Sequence, residues 1–294
     1  MKILSGVDIF LKLSYKFDLI INGWTSEFKA CMKRLIYILC FCASIFSSSA
    51  NALEITYSYL NPFSGEVSKA EALLLRGEIV PGDYEYLLDV IRSDQERFWR
   101  STGFVLASPG GDIQEALKIA HLIKGTYSTV WVGNAGGPCV SACFFMFISA
   151  VRREAGNKTI GIHRPYIHPR RMISMSPREA ETLQKKVLRE ARLYLENQDV
   201  PTNLIDKMFQ FSSMEVYWLS NDEITEQLGR RSPWYEQFLI AKCGFNKSIE
   251  RQYFLNNDQA ILDQLMEVNN CGAQLLIPEA KVFIESELKN FIKK

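Results

Sequence analysis

Between residues 72 and 163 the chain alternates short apolar runs with apolar stripes at helical spacing, and glycine or proline marks the joins. Ala72–Val80 (ALLLRGEIV) reads as a strand ended by Pro81-Gly82. Tyr84, Leu87, Leu88 and Ile91 then recur at helical spacing. Gly103–Ala107 is a short buried strand stopped by Ser108-Pro109-Gly110-Gly111. Asp112 caps a helix to about Lys124, with Ile113, Ala116, Leu117, Ala120 and Ile123 on one face. Thr129–Gly133 predicts a strand, Val140–Ala150 a buried helix and Thr159–His163 a further strand. Strands alternating with helices imply parallel βαβ units and an α/β core.

Ser176-Pro177-Arg178-Glu179 is a capping box with proline at the first helical position, opening a long polar helix to about Asn197. Its polarity predicts a solvated arm or a subunit interface rather than a core element. From about Arg230 onward the pattern is mixed and closes on an amphipathic helix over Glu279–Ile292. There is no internal repeat and no low-complexity tract.

The 294 residues are 47% hydrophobic and 23% charged, a globular balance that suits one large domain with an appendage. Net charge is only +1 without a long run of one sign, so an electrostatic nucleic-acid footprint is absent. The N-terminal region changes the picture more. Met32-Lys33-Arg34, the apolar run Leu35–Phe46 and the ending Ala50-Asn51-Ala52 have the layout of a secretory signal peptide cleaved after Ala52. The run is short for a span, which needs about 20 residues, so an uncleaved inner-membrane anchor is the alternative. Residues 1–31 precede this complete signal and read as a misassigned translation start or an unusually long leader. The expected location is periplasmic or secreted, with membrane contact only if the leader is retained.

Cleavage removes six basic and three acidic residues and leaves a net charge of −2. It also leaves four cysteines, Cys139, Cys143, Cys243 and Cys271, an even number in a compartment that permits disulfides. Cys243 with Cys271 would staple the C-terminal segment. Cys139 with Cys143 requires a sharp turn between them, because the Cα atoms must approach within about 7 Å. A zinc site is the competing idea, but the spacing lacks nearby histidines. No metal and no cofactor is expected.

Three segments carry candidate chemistry. Ser108-Pro109-Gly110-Gly111-Asp112 lies between a strand and a helix, where two glycines let the backbone turn N–H groups toward a ligand. Gly136-Gly137-Pro138-Cys139-Val140-Ser141-Ala142-Cys143 introduces the apolar helix and can hold Ser141 at its start, as a nucleophile or as an ordinary N-cap. Gly161-Ile162-His163-Arg164-Pro165 puts a histidine at a strand end. A serine nucleophile needs a base, and the chain has only His121, His163 and His168 to supply one. His121 falls within a helix, and His168 is the reserve.

Taken in order, these segments resemble the Clp protease proteolytic subunit and the crotonase superfamily, and more closely the exported Clp-like proteins of bacterial envelopes. The resemblance covers residues 72–229 and rests on LLLRGEIVPGD (73–83), FVLASPGGDIQEALKIAHLIK (104–124), CVSACFFMFISAVRR (139–153) and TIGIHRP (159–165). It implies a repeated ββα spiral over 53–229 with a long protruding helix and a small C-terminal extension over 230–294. It implies Ser141 as nucleophile, His163 as general base, Gly111 and Ala142 as backbone oxyanion donors, and Gly110 in substrate binding. The family's triad aspartate falls on Val216, two residues before Trp218-Leu219-Ser220. Glu215 beside it is the substitute, with Asp222 and Asp206 as alternatives. The implied activity is ATP-independent hydrolysis of peptides or proteins by a homo-oligomer, since an exported chain meets no ATP and no ATPase partner. The rival is a non-catalytic envelope binding or assembly module on the same fold. Crotonase-type acyl-CoA chemistry shares the fold, but coenzyme A is cytoplasmic.

Overall fold

The computed structural model describes residues 52–167 and 169–292. The leader and signal peptide predicted upstream of Ala52, and His168, lie outside the described residues. Among those described, no helix is long and apolar enough to cross a membrane.

The apolar runs become strands of an α/β fold because a strand covered on both faces must be apolar throughout. β1 (Glu54–Leu60) and β2 (Val67–Arg76) form an antiparallel hairpin. β3 (Phe104–Ala107), β4 (Thr129–Val132) and β6 (Arg152–Ala155) add in parallel, giving the order β1-β2-β3-β4-β6. A second sheet of β5 (Cys139–Val140), β7 (Ile160–Ile162) and β8 (Tyr217–Trp218) has the order β5-β7-β8. β5 and β7 run parallel, and β8 returns antiparallel.

Two of the next three helices follow the predicted spacing. α1 (Asp83–Ser93) buries Leu87, Leu88 and Ile91, and α2 (Gln95–Arg100) buries Phe98. α3 (Ile113–Gly125) is capped by the Asp112 carboxylate, which accepts from Gln114 and Glu115 N–H at 2.9 and 3.0 Å. The apolar run after residue 139 behaves differently. Its first residues are strand β5, Ser141 is a turn, and α4 starts only at Cys143 and ends at Ser149. Tertiary pairing of Cys139 with Ile160 and of Val140 with Gly161 overrides the helical tendency there.

After α5 (Pro169–Met172), the predicted capping box opens α6 (Pro177–Asn197). Polar as it is, α6 lays Val187, Ala191 and Leu195 on the core and stacks Tyr194 beside Phe145. Three to four apolar positions in every two turns suffice for such a stripe. α7 (Thr202–Gln210), a π-helix over Glu223–Leu228, α8 (Pro233–Cys243), α9 (Lys247–Asn256) and α10 (Gln259–Ile292) complete the chain. The Cys243–Cys271 disulfide joins α8 to α10, where Gly272 lets the Tyr235 and Leu239 side chains approach its backbone. Leu265, Val268 and Leu276 of α10 pack in a C-terminal cluster, and its Ile284 and Leu288 enter the main core.

Two of the buried ionisable residues mark the fold. Arg153 is 2% exposed and donates to the carbonyls of Ile148, Leu228 and Gly229, tying the end of α4 to the end of the π-helix. Burial, only partly offset by the charge of Asp199, lowers its pKa to about 10, which still leaves it charged at neutral pH. Replacing Arg153 with leucine strands three buried carbonyls and is expected to lower stability by about 3 kcal/mol, read from urea unfolding. Asp83 is 3% exposed, and desolvation raises its pKa to about 6 although Val80 N–H donates to it. The folded state therefore binds a proton more tightly than the unfolded chain, so stability falls as pH rises through that window. Asp83→Asn is expected to flatten the stability profile between about pH 4 and 6, measured by thermal unfolding across pH.

Candidate active site

Two strand-to-helix turns meet at the candidate site. The first follows β3. Gly110 and Gly111 have φ of +99° and +145°, values that L side chains rarely adopt. Ile79 N–H donates to Gly110 C=O at 2.8 Å, and Asp112 N–H donates to Ile79 C=O at 2.7 Å. These bonds pin the turn to the end of the β2 segment and leave the intervening Gly111 N–H free of them. A Cβ on Gly111 would lie 2.1 Å from the Ile79 oxygen, so glycine is required.

The second turn follows β5. Ser141 is not the cap of α4; Ala142 holds that position. Ser141 instead adopts φ +59°, a left-handed conformation that costs a non-glycine residue of order 1–3 kcal/mol. Its N–H donates to Gly161 C=O at 2.9 Å, and its C=O accepts from Phe144 N–H at 3.0 Å. The turns are pressed together, since a Cβ on Gly110 would stand 2.7 Å from Ser141 Cβ and 3.0 Å from Ala142 N. Among the described residues, neither Gly111 N–H nor Ala142 N–H donates to a backbone acceptor. Two uncommitted amides beside a strained hydroxyl can stabilise negative charge developing on a carbonyl oxygen. The Cys139–Cys143 disulfide brackets the turn, its Cα atoms 5.3 Å apart.

His163 follows β7, the parallel neighbour of β5, so Ser141 and His163 leave adjacent strands at the same end. The imidazole is 5% exposed, its Nδ1 lies 3.0 Å from Arg164 C=O, and the Tyr166 ring packs on it at 5.9 Å. If that carbonyl accepts an Nδ1 proton, Nε2 is the basic nitrogen. No hydrogen bond joins His163 to the Ser141 hydroxyl or to a carboxylate among the described residues. A cavity of about 10 Å³, room for one water, opens beside Ser141 between Gly111, Ala142, Ile113, Phe145, Tyr166 and Met208.

The three candidate acids lie elsewhere. Glu215 is exposed and accepts from Ser212 Oγ at 3.2 Å; Asp206 pairs with Arg192 at 2.8 Å; Asp222 is exposed before the π-helix. Gly161 pairs with Trp218 and Ile162 with Tyr217; continued one residue past the paired strands, that register would set Val216 opposite His163. Val216 Cγ1 lies over Gly161, 2.6 Å from where a Cβ would stand. β8 is anchored from behind. Burial raises the Glu223 pKa, but Lys207, Ser220 and Tyr217 hydrogen bonds outweigh it and hold the carboxyl ionised. Of the other histidines, His121 is exposed on α3 and packs edge-on against Phe283.

Sequence reasoning missed Tyr166, Phe145 and Met208 as cavity walls, and the Arg171–Asp112 ion pair (2.9 Å) that ties α5 to the glycine turn. Only Tyr166, two residues past the Arg164-Pro165 bend, carried any local signal.

No family model matches the chain, and no curated protein matches it. Among solved structures it is similar to a ClpP1 mutant from Listeria monocytogenes, at 19% identity over 54% of this chain and 88% of that one, TM-score 0.40. It is also similar to the 1510-N membrane-bound stomatin-specific protease in a mutant form, at 14% identity over 59% and 84%, TM-score 0.37. A third likeness is to a putative enoyl-CoA hydratase from Streptomyces avermitilis, at 13% identity over 81% and 90%, TM-score 0.32. At these values the likeness concerns the fold alone, and the function has to be argued from the site.

Proposed function

We propose that this chain is an exported, ATP-independent serine hydrolase of peptide bonds. Its reading rests on one observation: a strained serine at a strand-to-helix turn, with two uncommitted backbone amides converging beside it. In this reading Ser141 Oγ attacks the carbonyl carbon of a peptide while His163 Nε2 takes its proton. Gly111 and Ala142 N–H groups hold the oxyanion, with Gly110 shaping the wall of the site. The imidazolium returns the proton to the leaving amine, and water then cleaves the acyl-enzyme by the reverse sequence.

The orienting partner of His163 is the Arg164 carbonyl, with Glu215, adjacent to Val216, as the candidate carboxylate. A carbonyl fixes the tautomer, yet it does not offset the imidazolium charge as a carboxylate does, so turnover is expected to be slow. Disulfides accord with an oxidising compartment, and the exposed flank of α6 is the proposed homo-oligomer contact. The rival reading, a non-catalytic binding module, draws on Val216 opposite His163 and on the narrowness of the cavity.

A fluorophosphonate probe separates the readings. The wild-type chain is expected to label, and Ser141→Ala to lose labelling entirely; an unlabelled, folded wild type favours the binding module. Val216→Asp puts a carboxylate opposite the imidazole. It is expected to raise the labelling rate by at least about tenfold, a small part of the roughly 10⁴ that a triad acid supplies. No gain in that variant would place the imidazole out of reach of position 216.

A further inference from the structure

The disulfide between Cys139 and Cys143 has no part in the chemistry above, although Ser141 sits midway between its ends. Both cysteines are fully buried. Cys139 is fixed in the second sheet, its N–H donating to Thr159 C=O at 2.9 Å, and Cys143 opens α4. The sequence between them has two easier courses than the one it takes. Continued as a strand, residues 139 and 143 would lie roughly 13 Å apart at about 3.3 Å per residue. Continued as a helix, which the apolar run Val140–Ala150 favours, positions four apart hold their Cβ atoms about 5–6 Å from each other. A disulfide requires about 3.5–4.5 Å. Neither course closes the bond.

We propose that the Cys139–Cys143 disulfide is a positioning element for the nucleophile. By excluding both regular continuations it holds Ser141 in the left-handed conformation and keeps Ala142 N–H turned toward Gly111. The Ser141 N–H bond to Gly161 and the Gly110 contact then act on a turn that is already formed. The catalytic part of this inference rests on the serine-hydrolase reading; the conformational part does not.

The test is the full mature chain carrying Cys139→Ala and Cys143→Ala, compared with wild type and with Cys243→Ala/Cys271→Ala as a disulfide-loss control. Two readouts are taken at a temperature where circular dichroism shows each protein folded. Three-bond NMR couplings at a selectively labelled Ser141 report the sign of its φ. Fluorophosphonate kinetics separate the maximal labelling rate from the probe's apparent affinity. In the 139/143 variant Ser141 is expected to leave positive φ. The maximal rate is expected to fall about 100-fold, the scale of a small misplacement of a reacting group, with apparent affinity unchanged. The control keeps both properties. A merely stabilising disulfide would lower the melting temperature and move neither readout at the working temperature. Retained positive φ with an undiminished labelling rate overturns the proposal. Should the alanine pair fail to fold, Cys139→Val/Cys143→Ala fills the same apolar space without the bond and is judged by the same readouts. If the wild type does not label at all, the hydrolase reading fails, and the Ser141 couplings alone still decide whether the disulfide sets the turn.

Discussion

The close approach of Gly110 to Ser141 is the constraint on which the candidate site depends. Two chain reversals, one leaving β3 and one leaving β5, occupy nearly the same space, and only a residue without Cβ fits at position 110. The contact sets the Gly110 turn against Ser141 and Ala142, and Gly111, Ser141 and Ala142 line one cavity. It also transmits the placement of both sheets to the site. Ile79, just beyond β2, fixes the first turn, and Gly161 of β7 fixes the second.

The electrostatics of the site are set by backbone more than by ionised groups. Asp112, the carboxylate nearest the glycine turn, is committed to capping α3 and to Arg171. Glu223, behind β8, is committed to Lys207 and Tyr217. His163 meets a carbonyl, and the residue that the strand register would set opposite it is an uncharged valine. Carbonyl and amide dipoles can align an imidazole and hold an oxyanion, but they leave a positive charge on the ring without a counter-ion. In the proposed mechanism this arrangement would make acylation slow.

Much of this arrangement is written locally. The strand cores at Leu73–Leu75 and Phe104–Ala107, the Asp112 cap and the Ser176–Glu179 capping box follow from patterns within a few residues, whereas four cysteines alone leave three pairings open. Local pattern misjudged the run after Cys139, where an apolar stretch fits a buried helix and a buried strand equally well. It also underrated α6, whose three core contacts are sparse among charged residues, and gave no sign of β1 or β6, whose places come from sheet pairing.

The sequence by itself determined the α/β class, the glycine turn, the serine just ahead of a helix, and the histidine just past a strand, because each depends on backbone freedom or on periodicity within one segment. Tertiary structure alone decided that Cys139 and Val140 pair as a strand, that Val216 lies over Gly161, and that Glu215, Asp206 and Asp222 bond to other partners or stand in solvent. Those outcomes depend on which strands lie side by side and in what register. Register is fixed by packing between segments distant in sequence, and no short stretch of residues carries it.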